Sequence, residues 1–237
     1  MKRLFTATTM LTLLLACCAL ALASSGGPGL TADEALAKLK EGNMRYVAQA
    51  SVAPHQDAAR RHETSTGGQH PFATILSCAD SRVPLEILFD QGVGDIFAVR
   101  VAGNVAAVDE IGTMEYGAEH LGVPLIVVLG HTKCGAVTAV VKNEPVTENI
   151  GQLVAPIVPA VKSVKSRFAS ASLDDVISKS IEANVWQAIS DIYAKSPLLK
   201  KMAAAGKVKV VGALYDIDSG KVHWFGEHPS EGNLLDN

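Results

Sequence analysis

The sequence predicts an α/β fold with a mostly parallel central β-sheet flanked by helices. Three observations lead there. Short, continuously apolar runs cover 72–78, 95–101 and 124–130, the form taken by strands buried on both faces. Segments of helical periodicity alternate with them, from Pro84, over 109–121 and over 136–142. Finally, 237 residues with 48% hydrophobic content suffice for one core of ordinary size, and neither an internal repeat nor a later linker divides the chain.

The N-terminus differs in kind. Lys2 and Arg3 precede an apolar stretch from Leu11 to Leu22, and Ala21-Leu-Ala23 supplies small residues at a cleavage-type site. This is the pattern of a signal peptide over residues 1–23, leaving one domain over 24–237 that is exported, periplasmic or secreted. The apolar stretch is short for a membrane span. A buried N-terminal helix is the alternative. Leu14-Leu-Ala-Cys17 loosely matches a lipoprotein box, but leucine before the small residue fits poorly, so lipidation is the weaker route. Cleavage removes Cys17 and Cys18 and leaves Cys78 and Cys134.

Ser24 to Gly29 then reads as a spacer. Thr31-Ala-Asp-Glu34 is a capping box that opens a helix carrying Ala35, Leu36, Leu39, Met44 and Val47. Residues 51–70 are polar and read as a loop with one helical turn. Beyond the central strands, one long helix is expected near 150–167 and another over 173–195. Val208–Tyr215 and Val222–Phe225, joined across an Asp-Ser-Gly turn, form a terminal hairpin. A net charge of −3 without a basic run gives no electrostatic footprint for nucleic acid. No later segment reaches membrane-spanning length without charge or proline.

Two clusters carry the chemistry: Cys78-Ala-Asp80-Ser-Arg82 and His131-Thr-Lys-Cys134. Each follows a predicted strand, and side chains at the carboxyl ends of neighbouring parallel strands converge on one crevice. Two thiolates and an imidazole are ligands for zinc, with the fourth tetrahedral position open to water. Thiolates donate more electron density than imidazoles, so a neighbouring group must help to hold and orient hydroxide. Asp80 can accept its hydrogen bond, and Arg82 can pin Asp80 and keep it ionised. Two cysteines in an exported chain also admit a disulfide, but a disulfide gives no reason for Asp80, Arg82 or His131 beside the thiols. Gly130 and Gly135 invite a phosphate-loop reading that fails for lack of the GKS/T signature. Here glycine is expected to let the backbone approach zinc, with the Gly135 amide facing a bound anion.

These motifs carry a family resemblance. Together with Gln69-His-Pro71, Gly94-Asp-Ile-Phe97-Ala-Val-Arg100 and Glu115-Tyr116, they resemble β-class carbonic anhydrases of the plant-type, open-site subclass. The resemblance runs from about Leu30 to the C-terminus and is densest between Gln69 and Val141. It implies reversible hydration of carbon dioxide to bicarbonate, with one Zn2+ per chain held by Cys78, His131 and Cys134. Asp80 would be a fourth ligand only in a closed form. It further implies that Gln69, Phe97, Ala102 and Tyr116 line the substrate pocket. A homodimer or dimer-based oligomer follows, in which the Thr31 helix embraces the neighbour and two chains finish each pocket.

Some positions depart from the family pattern. Ala102 stands where the family often has valine, and Val101 replaces a frequent asparagine. Ile75 occupies the place of the tryptophan that closed-form members use in a bicarbonate pocket, although Arg100 matches that pocket's arginine. His70 and His120 lie near motif segments and are candidate proton relays. Rival readings are hydrolysis of carbonyl sulfide or carbon disulfide on the same fold, and a non-enzymatic exported zinc-binding protein. Asp80 and Arg82 speak against the latter, since a structural site closes with a fourth strong ligand.

Overall fold

A computed structural model describes residues 29–236, so the expected signal peptide and Cys17 lie outside the described residues. Among the described residues the first element is α1 (Ala32–Val47), opened by the expected capping box. The Glu34 amide donates to Thr31 Oγ1 at 3.2 Å, and the Thr31 amide donates to Glu34 Oε2 at 2.7 Å. Next come α2 (Ala58–Gly67), β1 (Ala73–Ser77), α3 (Leu85–Leu88), β2 (Ile96–Arg100), α4 (Val108–Glu119), β3 (Leu125–His131) and α5 (Gly135–Lys142). They are followed by α6 (Glu148–Val154), a 3-10 turn (Ala155–Ile157), α7 (Val158–Arg167), α8 (Leu173–Lys195) and α9 (Pro197–Ala204). The terminal hairpin of β4 (Lys209–Tyr215) and β5 (Val222–Gly226) precedes α10 (Glu231–Asp236).

Among the described residues, five strands lie in the order β2-β1-β3-β4-β5. The first four are parallel, and β5 alone runs antiparallel, against β4. Every residue of β1 and of β3 is buried, which is why their sequences are continuous rather than alternating. One face of the sheet presents Ile75, Val127 and Leu129 to Leu39 of α1 and Leu85 and Leu88 of α3. The other presents Leu76, Ile126 and Val128 to Met114 of α4 and Val185 and Ile189 of α8. A third cluster joins Cys78 and Cys134 to Val137, Ile157, Val161 and Ile181.

Three expectations need correction. Residues 51–70 contain the ten-residue helix α2, not a single turn. It buries no side chain and is held by polar contacts: Asp57 accepts from the Arg60 amide at 2.7 Å, and Arg60 Nε donates to the Val93 carbonyl at 2.8 Å. The helix expected near 150–167 is three pieces, because Pro156 and Pro159 have no N–H to continue the ladder and tolerate only first-turn positions. The helices α9 and α10 were not anticipated. Among the described residues, no helix is long and apolar enough to cross a membrane.

Gly130 serves packing rather than approach to a metal. A Cβ there would lie 2.7 Å from Val185 Cγ2, so its absence lets α8 press directly on β3. Gly130→Ala should therefore lower stability by about 1–3 kcal/mol, read as an earlier thermal midpoint. Adding Val185→Ala should make the glycine substitution less costly than it is alone. Equal cost in both backgrounds would disprove the close approach.

Candidate metal centre

Cys78 immediately follows β1, and His131 ends the neighbouring strand β3. The register pairs Ser77 with Leu129, so the two side chains emerge together at the carboxyl edge of the sheet. Cys134 is the N-cap of α5, reached from His131 through Thr132 and Lys133. Lys133 takes φ +58°, which turns the chain back toward the crevice. All three residues are buried, and their ligand atoms lie within 4.8 Å of one another. The cysteines are free thiols, not a disulfide.

The histidine shows what this cluster is shaped for. His131 Nδ1 sits 2.9 Å from the Thr132 carbonyl, to which only a protonated nitrogen can donate. That puts a proton on Nδ1 and leaves Nε2 as the nitrogen able to meet a metal. Nε2 is buried and has no hydrogen-bond partner among the described residues. A buried polar atom without a partner is costly, and a cation beside two sulfurs removes that cost. The donor set fits a thiophilic divalent metal, and three donors would leave room for a further ligand.

The two thiols hold each other in unequal states. A hydrogen bond from Cys134 is the main cause that lowers Cys78 to about 4, helped by His131 and the Gly103 and Asp80 amides and opposed by burial. The same bond, with burial, pushes Cys134 up, while the amides of Val137 and Ala136 at the start of α5 pull it toward the thiolate.

Beside the sulfurs, Asp80 and Arg82 form a two-point pair. Arg82 Nε lies 2.9 Å from Asp80 Oδ1 and Nη2 lies 2.7 Å from Oδ2. Arg82 first of all holds the Asp80 carboxyl well below the usual carboxylate range, against a burial effect of opposite sign. Asp80 Oδ2 also lies 3.9 Å from His131 Nε2, which aims the carboxylate edge at the cluster. Arg82 Nη2 reaches the Lys133 carbonyl at 3.3 Å and so ties one motif to the other. Arg100 donates to the Cys78 carbonyl at 3.2 Å and the Asp80 carbonyl at 2.7 Å, bracing the turn that carries both side chains.

The remaining expected pocket residues divide into two groups. Gly135 starts α5 and is exposed, with open space where a Cβ would stand, and Ala102 is half-buried in the loop after β2. Gln69, by contrast, precedes β1 and stands at the end opposite Cys78. Phe97 pairs in register with Thr74, roughly 10 Å along the strand from Ser77. Its ring centroid is 6.1 Å from that of Tyr116, and Tyr116 is 5.1 Å from His120. A single chain therefore does not bring Gln69, Phe97 and Tyr116 to its own metal cluster. His70 is exposed.

Sequence reasoning missed Gly103, whose amide donates to Cys78 Sγ at 3.3 Å. The Gly103-Asn104 pair was a visible turn signal, and both residues have positive φ, +79° and +45°. Nothing local, however, says which sulfur the turn would face.

Comparison with known proteins agrees with this geometry. The family model described as carbonic anhydrase matches residues 73–222. Carbonic anhydrase 2 of Mycobacterium tuberculosis is 40% identical over 189 residues, covering 77% of this chain and 87% of its own. The carbonic anhydrase of Mycolicibacterium smegmatis is 37% identical over 188 residues, covering 78% and 88%. Among solved structures, the β-carbonic anhydrase CafA of Aspergillus fumigatus superposes with a TM-score of 0.68 at 28% identity, over 86% of this chain and 94% of that one. With its sheet order, its Cys-His-Cys cluster and these relatives, the chain belongs to the β-carbonic anhydrase family.

Proposed function

We propose that this protein is exported and catalyses the reversible hydration of carbon dioxide with one zinc per chain. The observation that carries the reading is the Cys78-His131-Cys134 cluster, with its unpartnered Nε2, set beside an ionised Asp80. Zinc held there would supply a Lewis acid that lowers the pKa of a water in the open position. Asp80 would accept a hydrogen bond from that water and so orient it toward the substrate. Arg82 keeps Asp80 charged and in place through two parallel bonds. The first-turn amide of Gly135 faces the developing anion of the substrate. Acidification by a centre with two thiolates is weaker than by a cationic one, so orientation by Asp80 carries more of the rate.

The same reading includes an open site and a shared pocket. Asp80 spends both oxygens on Arg82, and Arg100 spends two donors on backbone carbonyls, which favours an Asp80 off the metal and an Arg100 not engaged with bicarbonate. Gln69, Phe97 and Tyr116 have no role at their own chain's metal, whereas a second copy could receive them. Val108 on α4 is 81% exposed and Tyr116 48%, an apolar face that suits a homodimer.

Purified exported protein should begin near Ser24 by mass and carry about one zinc per chain. Cys78→Ser, His131→Ala and Cys134→Ser should each lose the zinc and, in stopped-flow assay, carbon dioxide hydration. Full occupancy and activity in Cys134→Ser would end the assignment. Asp80→Asn should keep zinc but lose roughly 10- to 100-fold in hydration rate, since an amide carries no charge and accepts less reliably. Parent-like turnover in Asp80→Asn would reduce the pair to a surface contact. A crystal of zinc-loaded protein grown near neutral pH should show Asp80 on Arg82 and two chains around each pocket. Asp80 bound to zinc with bicarbonate on Arg100 would refute the open site, and a pocket closed by one chain would refute the shared one.

A further inference from the structure

A polar side chain in the middle of a buried helix costs stability unless it is bonded, and Asn184 of α8 is only 2% exposed. Its neighbours Val185 and Ile181 belong to apolar clusters, so an aliphatic residue would suit the helix better. Asn184 instead donates from Nδ2 to the Gly103 carbonyl at 2.7 Å, across 81 residues of sequence. Gly103 is the residue whose amide donates to Cys78 Sγ.

This loop has little freedom of its own to choose that geometry. Gly103 and Asn104 are both left-handed, a backbone state that needs outside support at the non-glycine position. A Cβ on Gly103 would lie 2.7 Å from Ile157 Cδ1 and 3.2 Å from the Ala136 Cβ. The loop is therefore wedged between α5 and the 3-10 turn on one side, while Asn184 clamps its carbonyl from α8. An N–H···S bond drains charge from a thiolate, which sets how strongly that sulfur donates to a metal.

We propose that Asn184 is a positioning residue for the metal centre: by holding the Gly103 carbonyl it aims the Gly103 amide at the Cys78 sulfur and tunes that ligand. The inference rests on the zinc reading above and adds a residue far from both motifs.

The test uses Asn184→Leu, of the same branched shape but larger and without a donor, and Ser180→Ala as its control. Ser180 is fully buried one turn earlier on the same helix, and its hydroxyl has no partner among the described residues. In Asn184→Leu, zinc affinity measured against a chromophoric chelator should fall by ~10-fold or more, and the thiolate-to-cobalt charge-transfer band of Co2+-loaded protein should shift. Ser180→Ala should leave both readings at the parent's values. An unchanged affinity and band in Asn184→Leu, with zinc held by the parent, overturns this proposal alone. A parent that cannot hold zinc removes the reading beneath it as well. Equal weakening in Ser180→Ala also overturns it, as a general effect of disturbing α8. If Asn184→Leu does not fold, hydrogen exchange of the Asn184 side-chain amide in the parent decides: zinc should slow it, and equal rates with and without zinc overturn the proposal.

Discussion

Parallel pairing of β1 with β3, fixed by the register of Ser77 with Leu129, is the constraint on which the site rests. The chain leaves β1 toward β2 at one side of the sheet and leaves β3 toward β4 at the other. Diverging connections open a crevice at the strand ends, where an α/β sheet binds its ligands. Cys78 and His131 sit at that divergence because each stands at the end of its strand. A slip of one residue in either strand would turn its ligand to the opposite face of the sheet. Close packing on both faces opposes the slip, which in β3 would put Leu129 or His131 where Gly130 now lies against Val185 of α8.

Charge is arranged around this crevice so that the cations hold structure and leave the anions for chemistry. Arg100 is spent on the carbonyls of Cys78 and Asp80, and Arg82 on the Asp80 carboxylate and the Lys133 carbonyl. The thiols and the carboxylate are thereby fixed from behind, with their lone pairs directed into the cluster. Preorganisation of this kind spares the site from rearranging when charge develops during reaction.

The central strands were legible in the sequence because burial on both faces leaves an unbroken apolar run. Metal donors were legible because soft ligands at short spacing, each behind a strand, suit little besides a metal. Helix α2 was not, since Arg60 and Asp57 hold it by polar contacts that leave no apolar stripe to read. Across 150–167 the apolar spacing persists through Pro156 and Pro159, so the pattern hid the breaks that their missing N–H groups impose. In the same way, Ser196 before Pro197 signalled the start of α9, but eight residues with two lysines made a weak period. The link from Asn184 to Gly103 lay beyond any local pattern because only the folded chain brings them together.

The order of the sheet also sets the order in which the protein can be built. Cys78 and His131 are separated in the chain by β2 and α4, and β1 cannot pair with β3 until that whole segment has formed a loop. Non-local parallel pairing of this sort is slow, because loop-closure entropy is lost before contacts repay it. The cluster therefore does not exist in the nascent or partly folded chain, where its donors stand apart. Under the proposed function, metal capture would report completion of the sheet, and a chain exported unfolded would acquire its metal only after crossing the membrane.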